Sequence, residues 1–160
     1  MIGIMADSHD NVPSIQKAVR LFQDAQCQLV IHAGDVVAPF SVRPLTHLSC
    51  PIKAVFGNCD GEKEGLKKAF GSLGEIKEAP FVFTFDHLKF LITHLQTPVK
   101  SFARSGTYDI IVFGHTHHPE IRQERETLLL NPGETGGWLS GKRTVALLNP
   151  KTLKAEIIPL

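Results

Sequence analysis

The sequence has almost no net charge. Its 17 basic and 16 acidic side chains leave a formal net charge of +1 over 160 residues. The overall basic excess that draws proteins to nucleic acid or to anionic membranes is therefore missing, although this argument leaves room for a local basic patch. No apolar run approaches the roughly 20 residues that a membrane-spanning helix needs, so we expect no membrane partner.

Cysteine is scarce as well. Cys27, Cys50 and Cys59 are an odd number in widely separated contexts, which argues against a disulfide framework and for a reducing, cytoplasmic environment. Repeats, low-complexity segments and linker-like stretches are also absent. Because the length and the 42% hydrophobic content are ordinary for a globular chain, we predict one domain over residues 1–160.

The first 60 residues alternate short apolar runs with helical patterns. Runs at 2–6, 29–31 and 52–56 predict buried strands. A helix start signal at 11–13 precedes the first helix, and a weaker helical stretch covers about 42–48. The apolar face of the first helix comprises Ile15, Ala18, Val19, Phe22 and Ala25. This β-α-β-α-β order predicts an α/β fold with a parallel sheet.

The second half of the chain is richer in predicted strands. A helix at 63–70 and a partly helical stretch at 98–104 are the only helical patterns, and 110–113 reads as another buried strand. Residues 81–85 and 88–93 flank Asp86-His87, which predicts a β-hairpin. The remaining runs are predicted to be antiparallel strands, at 120–123, 128–130, 143–148 and 153–158.

Polar residues follow five of the apolar runs. They are Asp7-Ser8-His9, then His32 with Gly34-Asp35, then Gly57-Asn58-Cys59-Asp60, then His94, and last Gly114-His115-Thr116-His117. In an open α/β sheet the carboxyl ends of parallel strands form the crevice in which ligands bind. The sequence therefore predicts that aspartate, histidine and asparagine side chains meet at one edge.

These side chains are typical ligands of divalent metals such as manganese, iron, nickel and zinc. In an extended segment, Asp-x-His and His-x-His would each direct both side chains to one side, so that each pair could hold one ion. Gly34 and Gly114 precede ligand positions, where unusual dihedral angles or close approach are expected. The candidate ligands are Asp7, His9, Asp35, Asn58, His94, His115 and His117.

Seven ligands are too many for one ion and suit two. Paired ions about 3.5–4 Å apart are a known arrangement for in-line attack at phosphorus. Two divalent ions bring about +4 and the carboxylates of Asp7 and Asp35 remove about 2, so a hydroxide between the ions leaves about +1. Such a site suits an anionic phosphate ester.

The motif set resembles that of the calcineurin-like metallophosphoesterases, in particular the small YfcE-like bacterial and archaeal phosphodiesterases. The resemblance spans residues 7 to about 142, and five motifs occur in the right order. It implies a four-layer α/β/β/α sandwich. It also implies a small phosphodiester substrate, attacked by a hydroxide that bridges two divalent ions, with manganese favoured and nickel, magnesium, iron and zinc also suitable. Homodimers or tetramers occur in such families.

The resemblance also implies a role for each ligand. Asp7, His9 and His117 would hold the first ion. Asn58, His94 and His115 would hold the second, and Asp35 would bridge both. Together with Asp60, which we expect to orient its neighbours rather than to bind metal, Asp35, Asn58 and His94 are the predicted catalytic residues.

Three positions depart from the family pattern. Cys59 stands where many members have a histidine, so an obvious general acid is missing and we expect slow turnover with a preference for good leaving groups. Gln96 stands where relatives often have the second histidine of His-Gly-His. Glu134 replaces the serine of Asn-Pro-Gly-Ser, in a turn expected to shape the pocket.

Other functions fit the sequence less well. A scaffold on the same fold would lack a working ligand set, and a dedicated nuclease would be expected to carry more positive charge. A cysteine phosphatase needs an arginine where Gly65 stands. The stretch 136–142 approaches a phosphate-binding P-loop, but a strand rather than a helix is predicted after it. His32 is interpreted as a structural histidine.

Overall fold

The computed structural model describes residues 1–160, which form two β-sheets packed face to face and flanked by helices. The strands are β1 (Ile2–Met5), β2 (Leu29–His32), β3 (Ile52–Val55), β4 (Gly74–Lys77), β5 (Phe81–Phe85), β6 (Leu88–Ile92), β7 (Ile110–Val112), β8 (Glu120–Glu124), β9 (Thr127–Asn131), β10 (Thr144–Asn149) and β11 (Lys154–Pro159). The helices are α1 (Val12–Asp24), α2 (Lys63–Phe70) and α3 (Val99–Arg104), with 3₁₀ segments at Pro39–His47 and Gly71–Leu73.

The first sheet has the strand order β11-β10-β1-β2-β3-β4, in which β1 to β4 are parallel. The second sheet has the order β5-β6-β7-β9-β8. The expectation that the later strands are all antiparallel is wrong for β9, which pairs with β7 in parallel. Strand β4 was not predicted, because its four residues contain a single buried side chain, Ile76.

Three apolar clusters separate four layers. Helices α1 and α2 pack on one face of the first sheet, the two sheets pack on each other, and α3 packs on the outer face of the second sheet. This confirms the predicted α/β/β/α sandwich. No helix combines the length and the apolar character needed to cross a membrane.

Local sequence explains the element that precedes the site. The side chain of Asn11 accepts a hydrogen bond from Ser14 N and caps α1, which buries the predicted apolar face except for Ala25, a half-buried residue just beyond the end of the helix. Gly3 in β1 leaves the space that the ring of Phe22 fills. The predicted weak helix at 42–48 is a 3₁₀ segment instead, because Pro44 lies inside it and proline disfavours a continuous α-helix.

Candidate metal centre

The seven predicted ligands lie together at the carboxyl ends of β1, β2 and β3 in the first sheet and of β6 and β7 in the second. Most of them border a cavity of about 410 Å³. The cavity is lined by His9, Asp35, Asn58, Cys59, His115, Thr116, His117, His118, Leu139 and Ser140. Asp7 and His94 are buried and contact these lining residues. The site is therefore built across the seam between the two sheets.

The ligand segments are tight turns rather than extended chain. Asp7, His9 and Asp35 have φ values of +51°, +40° and +59°, and His115 and His117 have +68° and +60°. Backbone hydrogen bonds hold these turns, including Asp7 N to Gly34 O and His9 N to Asp35 O. Left-handed conformations of non-glycine residues are disfavoured and cluster at functional sites. The expectation of extended Asp-x-His and His-x-His segments is wrong.

The turn at 114–117 sends its two histidines to different neighbours. The ring of His115 packs edge-on against His94, with centroids 5.1 Å apart, while His117 stacks on His9 at 5.2 Å. The expectation that the His-x-His pair holds a single ion therefore disagrees with the geometry. The division implied by the family resemblance, which separates His115 from His117, stays a prediction.

The first group of ligand atoms surrounds His9 Nε2. This atom lies 4.0 Å from Asp7 Oδ1 and 3.6 Å from Asp35 Oδ2, and His117 Nε2 lies 3.6 Å from Asp7 Oδ1. His9 Nε2 is buried without a hydrogen-bond partner. Burial lowers the pKa of His9, so a neutral ring with a free lone pair is favoured. An unpaired buried acceptor beside two carboxylates suits a cation.

The second group surrounds His94 Nε2. His94 Nδ1 lies 2.8 Å from the carbonyl oxygen of Ala33, which can only accept a hydrogen bond. Nε2 faces two further acceptors, Asn58 Oδ1 at 2.9 Å and Asp35 Oδ2 at 3.4 Å. Burial alone would lower the pKa of His94, but hydrogen bonding to Asp35 and its negative charge outweigh burial and raise it. Because only acceptor atoms face Nε2, a proton or a metal ion is needed between them.

Asp35 lies between the two groups. Its Oδ1 accepts a hydrogen bond from Cys59 N at 2.8 Å, and its Oδ2 faces both His9 and His94. Burial works against ionisation, but hydrogen bonds from His94 and from the Cys59 backbone hold the pKa of Asp35 well below its usual range. Asp7 behaves differently, because burial raises its pKa to about 6. Asp35 therefore faces both groups of ligand atoms.

Asp60 holds the backbone of the site. Its carboxylate accepts hydrogen bonds from Asp35 N at 3.0 Å, Gly57 N at 2.7 Å and Val37 N at 2.6 Å. A Cβ atom at Gly57 would overlap the side chain and backbone nitrogen of Asp35. The loops that carry Asp35 and Asn58 are therefore tied together at close range, which is the orienting role expected for Asp60.

Two other residues behave as the sequence indicated. The Cys59 thiol borders the cavity, and burial together with the charge of Asp35 raises its pKa to about 11, so the nucleophilic thiolate is disfavoured. His32 is buried, accepts from Gly34 N through Nδ1 and therefore donates to Ser8 Oγ through Nε2. Burial lowers the pKa of His32 to about 4. The structural interpretation of His32 is confirmed.

Sequence reasoning missed the contacts of Glu134. This residue is fully buried after β9, and its carboxylate lies 3.2 Å from His117 Nδ1. Burial alone would raise the pKa of Glu134, but hydrogen bonds from Ser140 and Leu139 outweigh burial and lower the pKa to about 2. Glu134 follows the carboxyl end of β9, which runs parallel to β7 and therefore ends at the same edge as the ligands. Because β9 was predicted to be antiparallel, Glu134 was not expected there.

Comparison with known proteins agrees with this geometry. Residues 1–153 match the calcineurin-like phosphoesterase superfamily domain. The chain belongs to this superfamily. It is 39% identical to a phosphodiesterase of Methanocaldococcus jannaschii over 155 residues, which cover 92% of each chain. It is 26% identical to the phosphodiesterase YfcE of Escherichia coli over 143 residues, covering 80% of this chain and 75% of that protein.

A solved structure of an archaeal phosphodiesterase superposes with a TM-score of 0.94 at 36% identity and covers 99% of both chains. The predicted family, fold and YfcE-like resemblance are confirmed. The family is hydrolytic, so the prediction of a phosphoesterase is confirmed at that level. Metallophosphoesterases use divalent metal ions, and the side chains described above can hold such ions.

Proposed function

We propose that this protein is a metal-dependent phosphodiesterase with a dinuclear centre. The observation that carries the proposal is the convergence of two groups of ligand atoms on one shared carboxylate, that of Asp35. The residues fit two ions, because His9 Nε2 lacks a partner and His94 Nε2 faces only acceptors. Asp7, His9 and His117 would hold the first ion, Asn58, His94 and His115 would hold the second, and Asp35 would contribute to both.

The bound ions would polarise the phosphate and make a water-derived nucleophile available at neutral pH. The chain's own side chains and backbone do the positioning. Asp35 and Asp7 supply two negative charges, Ala33 orients His94, and Asp60 holds the backbone of both loops. Manganese is the favoured ion, and this mixture of carboxylate, amide and imidazole ligands also suits nickel, magnesium, iron and zinc.

Charge supports a diester as the substrate. No lysine or arginine lines the cavity, so the ions themselves must balance the substrate. Two divalent ions, the carboxylates of Asp7 and Asp35 and a hydroxide leave about +1, and the Glu134 carboxylate behind His117 lowers this to about 0, so a singly charged diester suits the site better than a doubly charged monoester. Two relatives with the same domain are named phosphodiesterases. The absence of cationic side chains also disfavours a nuclease, which binds phosphates with lysine and arginine.

The carboxyl ends of strands from both sheets supply ligands, and a single apolar core joins the sheets. We therefore propose that residues 1–160 act as one domain. A scaffold function on the same fold would not require this set of unpaired and mutually facing ligand atoms.

Hydrolysis of bis(p-nitrophenyl) phosphate tests the proposal. Metal-stripped protein should be inactive and should recover activity when manganese or nickel is added. Asp35→Asn should remove the activity, because it removes the charge that both groups share, whereas Asp24→Asn on the exposed end of α1 should not. Folded protein that binds no metal would contradict the metal centre. Protein that binds two ions but cleaves no diester would contradict the assigned substrate class.

A further inference from the structure

The carboxylate of Glu134 organises the loop at 136–141. Its Oε1 accepts hydrogen bonds from Trp138 N at 2.7 Å and Leu139 N at 3.0 Å. Its Oε2 accepts from Ser140 N at 2.8 Å and from the Ser140 hydroxyl at 2.6 Å. One buried side chain therefore holds three consecutive residues of an otherwise irregular loop.

The same carboxylate approaches the edge of the His117 ring that carries Nδ1. Glu134 Oε1 lies 3.2 Å from His117 Nδ1, and this nitrogen is buried without a formed hydrogen bond. The other ring nitrogen, Nε2, faces Asp7 in the first ligand group. Metal-binding histidines commonly direct their second nitrogen to a carboxylate, which fixes the ring orientation and the tautomer.

The loop reaches the site at two further points. Leu139 and Ser140 form part of the cavity wall, and Trp138 Nε1 donates a hydrogen bond to the carbonyl oxygen of His9 at 3.0 Å. Trp138 is the only tryptophan in the chain. A change in the position of the His117 or Glu134 side chain is therefore transmitted to an intrinsic fluorophore.

We propose that Glu134 is a positioning residue that orients His117 for the first metal ion and couples that ion to the cavity wall formed by Leu139 and Ser140. This inference rests on the metal centre of the proposed function. It predicts that filling the His117 site and ordering the 136–141 loop favour each other, since both use the same carboxylate.

Zinc binding provides a readout that does not depend on activity. Glu134→Gln keeps the size of the side chain but removes its charge, and Glu126→Gln in the exposed turn between β8 and β9 is the matched control. In calorimetric titrations of metal-free protein, Glu134→Gln should weaken one of the two zinc sites by about 10–100-fold and leave the other unchanged. Zinc should change Trp138 emission in the wild type and in Glu126→Gln, and this response should shift to the same higher zinc concentration in Glu134→Gln.

The inference would be overturned if both zinc sites of Glu134→Gln kept the wild-type affinity, or if the Trp138 response were unaffected by that substitution. Either result would leave the proposed function intact. Wild-type protein that binds neither zinc nor manganese would overturn the metal centre and the inference together. If circular dichroism shows that Glu134→Gln is unfolded, the zinc affinity of Ser140→Ala tests the inference instead. This substitution removes one hydrogen bond to Glu134 and no ligand, so it should weaken the same site several-fold, and unchanged affinity would overturn the inference.

Discussion

His94 donates a hydrogen bond from Nδ1 to the carbonyl oxygen of Ala33 at 2.8 Å. This contact fixes the orientation of the ring and leaves Nε2 directed at Asn58 and Asp35. Gly34 makes the contact possible, because a Cβ atom there would lie 2.6 Å from His94 Nδ1. The tautomer of His94 therefore depends on a glycine at position 34, 60 residues earlier in the chain.

We predict that His94→Ala reduces the number of bound manganese ions from two to one. Loss of a ligand should lower kcat/KM for bis(p-nitrophenyl) phosphate by more than the roughly 100-fold typical of losing a residue that only supports a ligand. Metal content of the dialysed protein and steady-state kinetics measure both effects. His47→Ala, at an exposed position in the 3₁₀ segment, should retain two ions and full activity. Two tightly bound ions in His94→Ala would contradict the assignment.

Gly57 and Gly61 provide a matched pair of substitutions in one loop. Gly57→Ala should destabilise the protein by about 1–3 kcal/mol and abolish activity, because its Cβ atom overlaps Asp35 and must displace the shared carboxylate. Gly61→Ala meets no atom within 4 Å and should leave both properties unchanged. Thermal unfolding of the metal-free proteins and diesterase assays distinguish the two. Similar behaviour of both variants would show that the loop is less constrained than its geometry implies.

Manganese affinity should depend on pH through Asp7. Burial raises the pKa of Asp7 to about 6, so the metal-free site carries a proton there in acid and the ion must displace it. Affinity should therefore fall as the pH drops below 6, by about tenfold per pH unit for each displaced proton, and the proton on His94, whose pKa is raised, adds to the one on Asp7. Calorimetry at pH 5, 6 and 7 measures the slope, and buffers of different ionisation enthalpy count the protons released. An affinity that is constant over this range would be incompatible with Asp7 as a ligand.

Replacing Cys59 by histidine should improve hydrolysis of diesters with poor leaving groups. Cys59 borders the cavity near His9 and Asp35, and its thiol, with a pKa of about 11, is too weak an acid for the task. A positioned imidazolium typically contributes 10²–10⁴-fold, so an increase in kcat of up to about 100-fold is expected. The increase should be largest below the histidine pKa of about 6.5 and should disappear as the pH rises above it. Cys59→Asn, which cannot act as an acid, is the control, and an equal increase in that variant would contradict this reasoning.

The sequence predicted the helices and most strands well, because their apolar periodicity is local. It also predicted which residues follow the strands. It failed where the decisive interaction lies far away in the chain. Strand β4 was missed because it has a single buried side chain and is defined by its pairing with β3, and β9 was assigned the wrong direction because only its partner β7 sets it.

Site geometry was harder to predict than site composition. The turns at Asp7-Ser8-His9 and at 114–117 have left-handed residues, which no pattern of hydrophobicity reveals. The role of Glu134 was missed for a related reason. A buried carboxylate is recognised by the groups that surround it, and these come from a loop and from a strand end that are separated along the chain and meet only in the fold.

The position of β1 has a consequence for how the protein is made. This strand lies between β2 and β10, and the backbone nitrogen of Gly136 donates to the carbonyl oxygen of Asp7. A ribosome releases residues 2–9 early and residues 136–149 much later, so the strand that carries the first two ligands stays half-paired throughout most of synthesis. Domains generally fold as units. On the proposed assignment of ligands, the metal site is therefore completed only after residues 136–149 have been synthesised.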